Sequence, residues 1–185
     1  NKISPDMIVE ASDFDAVDAA FAAAISAMGS LDGVVNCAGS LLLKSAHLTS
    51  FEQYQSVIQA SLTTAFACVR AAGKHMTTGG SVVLISSAAA MEGLANHEAI
   101  AAAKAGVLGL TLSAAATYAP QNLRVNAVAP GLTDTPLTAS ITGNEAARKF
   151  SLAMHALGRL GTPEDVARAI IFLLVSGALL IALRG

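Results

Sequence analysis

Gly80-Ser81-Val82-Val83-Leu84-Ile85-Ser86-Ser87 decides the fold of this chain. Its apolar centre is rich in β-branched residues. The turn-forming Thr77-Thr78-Gly79-Gly80 stands before it and two serines close it. A short apolar run without polar alternation is a strand buried on both faces. Such strands sit in parallel sheets, where crossover helices cover both sides, and helical patterns flank this one.

Upstream, Thr49-Ser50-Phe51-Glu52 has the spacing of a capping box and opens a helix expected to run to about Met76. Before it, Val34 to Asn36 reads as a strand and Met7 to Val9 as another. Between those two, Asp13 or Asp15 caps a helix with apolar positions Val17, Ala20, Phe21, Ala24, Ile25 and Met28, ended by Gly29. Downstream, a helix of small residues is predicted from Glu98 to Tyr118, stopped by Pro120, followed by a strand from Arg124 to Ala129. Thr162-Pro163-Glu164-Asp165 places a capping residue before a proline at the first helical position of a helix reaching about Val175. Strands alternating with helices predict an α/β fold, a doubly wound parallel sheet with helices on both faces.

Composition narrows the function. The 185 residues are 54% hydrophobic and only 13% charged, which suits one domain built around a buried sheet. A net charge of -2, with basic residues scattered, gives no electrostatic case for nucleic acid or an anionic membrane. The apolar run from Ala169 to Leu183 is interrupted by Ser176 and Gly177, so it reads as a buried helix and tail rather than a span. Cys37 and Cys68 are too few for a disulfide framework and are expected to be reduced, as in a cytoplasmic protein. His47, His75, His97 and His155 show no metal-ligand spacing, so no metal site is expected.

Three segments together resemble the short-chain dehydrogenase/reductase family, classical type. Gly80 to Ser87 resembles its fifth strand and catalytic-serine turn, and Asn126-Ala127-Val128-Ala129-Pro130-Gly131 its sixth strand and the Pro-Gly loop over the nicotinamide. Leu31-Asp32-Gly33-Val34-Val35-Asn36-Cys37-Ala38-Gly39 resembles its fourth strand and Asn-Asn-Ala-Gly motif, with cysteine at the second asparagine. Ile100-Ala101-Ala102-Ala103-Lys104-Ala105-Gly106 is similar to the Tyr-x-x-x-Lys helix, with isoleucine at the tyrosine position. Arg159 to Ala167 also fits.

The resemblance implies a Rossmann-like fold that begins at the family's third strand. Neither G-x-G-x-x-G nor G-x-x-x-G-x-G occurs in the sequence, and Ala182-Leu183-Arg184-Gly185 stands where the final strand is expected. Residues 1–185 are therefore read as a single, incomplete domain lacking the first two strands and the last.

The resemblance also implies a site. Family members move a hydride between the nicotinamide of NAD or NADP and a carbonyl or alcohol carbon, while a tyrosine transfers the proton. By position, Ser87 is the serine and Lys104 the lysine. The tyrosine position is Ile100 and the asparagine position is Ser61. Cofactor-facing positions are Glu10 and Ala11 on the adenine side, Asn36, Cys37, Ala38 and Gly39 along the adenosine, and Lys104 at the ribose. Pro130, Gly131, Thr133 and Thr135 lie at the nicotinamide and pyrophosphate. His97 and Glu98, just before the lysine helix, are alternative proton sources. Tyr54 and Tyr118 read as packing residues.

The expected substrate is a small carbonyl or alcohol. The resemblance further implies a homodimer or homotetramer paired through the helices of residues 51–76 and 98–118. Ala99, Ala102, Ala103, Gly106 and Gly109 would permit close approach, with Leu110 and Leu112 adding apolar area. Three functions stay open: an oxidoreductase with an altered proton path, a non-catalytic binding relative, and a fragment without independent function.

Overall fold

The computed structural model describes residues 7–176. Three strands form one parallel sheet in the order β1 (Gly33–Asn36), β2 (Gly80–Ile85), β3 (Leu123–Val128). Val34 lies opposite Val82, which lies opposite Val125. β2 is central, and Val82, Val83 and Leu84 have no exposed surface. The continuous apolar run therefore reflects burial on both faces, as expected.

Alternation along β2 sorts its side chains between two layers. Val82 and Leu84 pack into a cluster with α3 (Thr64–His75) and α4 (Glu98–Tyr118), including Ala67, Ala71, Ala72 and Val107. Ser81 points the other way, where its Oγ donates to the carbonyl of Leu173 on α7 (Pro163–Val175), 3.0 Å away. The small residues of α3 and α4 let these helices lie close on the sheet; Ala71, Ala72 and Ala103 are wholly buried. α4 is apolar and long enough to cross a membrane by composition alone. In this fold it is the helix that covers β3 and β2.

Local signals placed most helix ends. α1 (Phe14–Met28) is capped by Asp13, whose carboxylate accepts from the amides of Asp15 and Ala16. It ends at Gly29, whose φ of 84° lies in the region that favours glycine. α7 starts from the Thr162–Asp165 capping box with Pro163 in its first turn.

Three expectations are corrected. Residues 7–10 pair with no strand and Ile8 is fully exposed, so Met7 to Val9 is not a strand among the described residues. An isolated run of that length has no ladder partner to satisfy its backbone. The capping box that opens α2 (Phe51–Ile58) is Ser50 with Gln53, one residue on from Thr49 and Glu52. The helix expected to reach Met76 without a break has a π-helical segment at Gln59–Thr63 between α2 and α3. Two short helices went unread, α5 (Ala139–Thr142) and α6 (Glu145–Met154). The reading that the last strand is missing falls on residues 177–185, outside the described residues.

Candidate active site

In parallel sheets, ligands bind beyond the carboxyl ends of the strands. Each strand here ends at one of the predicted motifs: β1 at Asn36, β2 just before Ser86-Ser87, and β3 just before Ala129-Pro130-Gly131. The sheet thus collects residues that are far apart in the chain along one edge.

Two adjacent serines there have different tasks. Ser86 is buried, and its Oγ donates to the backbone carbonyl of Lys104 at 2.9 Å, tying the end of β2 to α4. Ser87 is half-buried and extended, and its Oγ accepts from the amide of Ala89 at 3.2 Å. The Ala88 amide donates to the Pro130 carbonyl at 2.8 Å, so the serine turn and the Pro-Gly loop sit side by side.

Lys104 is 7% exposed, and its Nζ donates to the carbonyl of Ile85 at 2.7 Å. Burial pushes this ammonium below the usual lysine range, partly offset by the negative charge of nearby Cys37 when that sulfur is ionised. A β-carbon on Gly39 would stand 3.4 Å from that Nζ and 3.9 Å from the Oγ of Ser61. Ser61, in the π-helical segment, is 1% exposed and its hydroxyl has no partner. Leaving a buried hydroxyl unpaired costs about 1–3 kcal/mol, so Ser61 is an unsatisfied polar group beside the lysine.

Position 100 is different in kind. Ile100 is 3% exposed and packs with Val57, Ala99 and Ala103, bordered by Leu42, Ile58 and Leu62. It is a core residue with nothing to donate.

Asn36 shapes the turn after β1. Its Oδ1 accepts from the Ala38 amide at 3.1 Å and its Nδ2 donates to Thr64 Oγ1 at 3.3 Å. Cys37 is exposed as a residue, and partial desolvation of its sulfur raises the thiol above its ordinary value. Cys68 is buried in α3 and pushed up to about 12. Both are free thiols. On the β3 side, Leu132–Asp134 docks against Gly161 through Gly161 N to Leu132 O and Asp134 N to Gly161 O, each 3.0 Å. Thr135 and Thr138 form a capping box around Pro136. Glu10, beside Ala11 in a turn, accepts from the amide and hydroxyl of Ser12, which hold its carboxyl below the usual range.

Two features escaped sequence reasoning. His155 follows α6; its Nδ1 lies 2.7 Å from the Ser151 carbonyl, and its Nε2 would be 2.9 Å from a β-carbon on Gly131. A larger residue at 131 would collide with that ring. The meeting of Gly39, Ser61 and Lys104 was likewise unread, and only the unusual serine at position 61 hinted at it. Of the alternative proton sources, His97 bonds the Ala95 carbonyl through Nδ1 and Glu98 is exposed in the first turn of α4. Tyr118 packs over Gly73, as expected, while Tyr54 is 44% exposed and does not pack inside. No metal-binding cluster occurs among the described residues.

These residues fit the nicotinamide end of a dinucleotide. The missing β-carbon of Gly39 leaves a cradle beside Lys104, whose ammonium has donors to spare after its single bond, as a ribose hydroxyl would require.

Comparison with known proteins identifies the family. Residues 3–182 match the family model described as Enoyl-(Acyl carrier protein) reductase. The chain is 42% identical over 167 residues to cis-4-hydroxycyclohexanecarboxylate dehydrogenase of Sinomonas cyclohexanicum, covering 89% of this chain and 66% of that protein. It is 37% identical to a protein of Xanthobacter autotrophicus named inactive 2-(S)-hydroxypropyl-CoM dehydrogenase 2, covering 91% of this chain and 76% of the other. The chain thus spans about two thirds of the length of the first of these relatives. Among solved structures, ElxO with NADP bound superimposes with a TM-score of 0.85 at 30% identity, covering 94% of this chain and 71% of ElxO. A short-chain type dehydrogenase/reductase from Mycobacterium ulcerans gives 0.86 at 31%, covering 92% and 63%.

Proposed function

The chain belongs to the short-chain dehydrogenase/reductase family, and from that premise we propose that it acts as an NAD(P)-dependent oxidoreductase with an altered proton-transfer site. Its substrate is a small carbonyl or alcohol compound. The observation that carries this reading is the convergence of Ser87, Lys104 and the Pro130–Gly131 loop on one sheet edge. The bound cofactor would supply or accept the hydride. Lys104 would hold the nicotinamide ribose, Asn36 to Gly39 would border the adenosine, and the backbone of Thr133 and Thr135 would border the nicotinamide. Ser87 would orient the substrate oxygen. A cytoplasmic setting, consistent with two free thiols, is part of the proposal.

A second reading is a relative that binds without turning over. It is supported by Ile100, packed in an apolar cluster where the family's tyrosine would stand, and one relative carries the word inactive in its name. The deciding experiment uses protein expressed from the complete coding sequence and a panel of cyclic hydroxy acids, secondary alcohols and 3-oxoacyl thioesters, with nicotinamide absorbance as the readout. Losing a general acid typically costs about 10²–10⁴-fold. The oxidoreductase reading expects slow turnover, raised by Ile100→Tyr. Dinucleotide binding without turnover in either protein would establish the second reading.

Self-association through α2, α3 and α4 is also proposed, with a corrected face. Ala99 and Ala103 are buried within the chain, and Gly106 packs against Leu62. The surface left for a partner includes Gly109, Leu112 and Phe66, with Leu112 62% and Phe66 49% exposed. Leu112→Arg should shift sedimentation toward monomer, and an unchanged oligomer would place the interface elsewhere.

A further inference from the structure

The oxidoreductase reading accounts for the reacting end of a substrate and leaves its far end unheld. On the β3 side, His155 is committed at one end of its ring only. It closes α6, and its Nδ1 lies 2.7 Å from the Ser151 carbonyl. A carbonyl only accepts, so Nδ1 carries a hydrogen in either charge state of the ring. Nε2 is the free end. It has no hydrogen-bond partner among the described residues, yet, unlike the Ser61 hydroxyl, it is not sealed from solvent. It stands over Gly131, 2.9 Å from where a β-carbon would be, so a side chain at 131 would block it. The neighbouring Pro130 carbonyl accepts from the Ala88 amide at 2.8 Å, and a single loop thus separates the imidazole from the Ser87 turn.

We propose that His155 is a specificity-determining residue: as an imidazolium, its Nε2–H holds a carboxylate at the far end of the substrate. The preferred substrates are then hydroxy or oxo acids with an apolar skeleton. The inference rests on the oxidoreductase reading and adds no chemical step to it, because the carboxylate is held and not transformed.

The surroundings suit a cation that awaits an anion. α6 ends at His155, and the last carbonyls of a helix, Ser151's among them, favour positive charge. The charged groups on the elements around the ring are Asp134 on the loop from β3, Glu145, Arg148 and Lys149 on α6, and Arg159 beyond it. Arg159 is committed to Asp165. Neither Asp134 nor Glu145 pairs with His155 among the described residues, so the place of a counter-ion is open. Arg148, on the same face of α6 as Ser151, adds positive charge to that side. Leu137, Met154 and Leu157 leave apolar surface exposed on the same segment, which suits a hydrocarbon skeleton.

The test uses protein from the complete coding sequence and matched probes: cyclic and open-chain hydroxy acids, each beside its carboxamide, which has the same shape without the charge. The parent should favour the acids in kcat/KM by about 10-fold or more, since hydrogen bonds between charged groups are the strong ones. His155→Gln keeps a polar group near Nε2 but no charge. It should raise KM for the acids about 10-fold, with kcat moving far less and the carboxamides losing little. The preference should fade in the parent as pH rises and the imidazolium loses its proton, and stay flat in His155→Arg, whose charge is permanent. Acids and carboxamides weakened equally by His155→Gln would make the residue structural, and a preference that survives it would place the anion elsewhere; either result overturns the proposal. So does a parent that prefers the carboxamides. Isotope-labelled-histidine NMR of the dinucleotide-loaded protein gives a readout without turnover: cyclohexanecarboxylate should raise the His155 titration midpoint, and cyclohexanecarboxamide should not. That shift with no turnover in the parent or in Ile100→Tyr overturns the oxidoreductase reading and leaves the anion subsite standing. Turnover without the shift overturns the subsite.

Discussion

The two ends of β2 use the same device for different purposes. At its start, Ser81 Oγ donates to the Leu173 carbonyl, and Arg124 from β3 reaches the carbonyls of Leu173 and Leu174 at 2.8 and 3.0 Å. A guanidinium there closes the C-terminal end of α7, where unpaired carbonyls and the helix dipole favour positive charge. At its finish, Ser86 Oγ donates to the Lys104 carbonyl in the same way. Beyond that bond the pattern breaks: Lys104 Nζ has one carbonyl acceptor and Ser61 Oγ has none. At one end Ser81 and Arg124 are engaged in holding a helix, with only the Ser176 hydroxyl at its cap unpaired among the described residues. The other keeps some unspent, which is what a site that must bind a guest requires.

Substitutions can break the comparison. Arg124→Ala removes charge-assisted bonds to a helix end and should cost about 2–3 kcal/mol, read as a lowered denaturation midpoint with little effect on turnover per folded molecule. A midpoint within error of the parent would show that α7 is held by packing alone. Ser81→Ala and Ser86→Ala each remove a buried bond and should each cost about 1–2 kcal/mol. Only Ser86→Ala should also slow turnover, because it frees the backbone that aims Lys104. Equal turnover in the two would make the ends of β2 equivalent and erase the distinction.

The smallest effect concerns the start of α7. Arg159 donates to Asp165 at 2.6 and 3.1 Å, and Asp165 also accepts from the Thr162 amide at 2.9 Å. The guanidinium first, and then that amide, hold the carboxyl well below the usual carboxylate range. The folded value lies below the unfolded one, so the contribution is complete above the ordinary aspartate range and fades as pH falls through and below it. The pair is partly exposed, so the contribution is modest. Asp165→Asn should flatten the acid limb of a melting-temperature profile and barely move it near neutrality. An unaltered acid limb would mean that other carboxylates set it.

Sequence and structure agree best where a local cause acts. Helix α4 has the predicted bounds because Pro120 closes it and its small residues admit no other register against the sheet. α7 begins at Pro163 because a capping residue and a proline specify a helix start whatever surrounds them. Met7 to Val9 failed for the converse reason: an apolar run becomes a strand only when another strand answers its backbone. The isoleucine at position 100 stood out through the resemblance to the Tyr-x-x-x-Lys helix, and its burial follows from its chemistry.

By itself, then, the sequence determined the alternating α/β plan, the buried central strand, and the places of Ser87 and Lys104 in their motifs. The plan and the strand follow because periodicity, caps and turn residues act over a few positions; Ser87 and Lys104 follow from the resemblance to the family's motifs. The tertiary structure alone decided that Ser61 has no partner, that Gly39 lies against Lys104, and that His155 closes on Gly131. It also turned Ala103 inward, away from any partner. Those outcomes depend on which segments the sheet and its helices bring within a few ångströms, and a side chain's burial and hydrogen-bond partners are settled only by that packing.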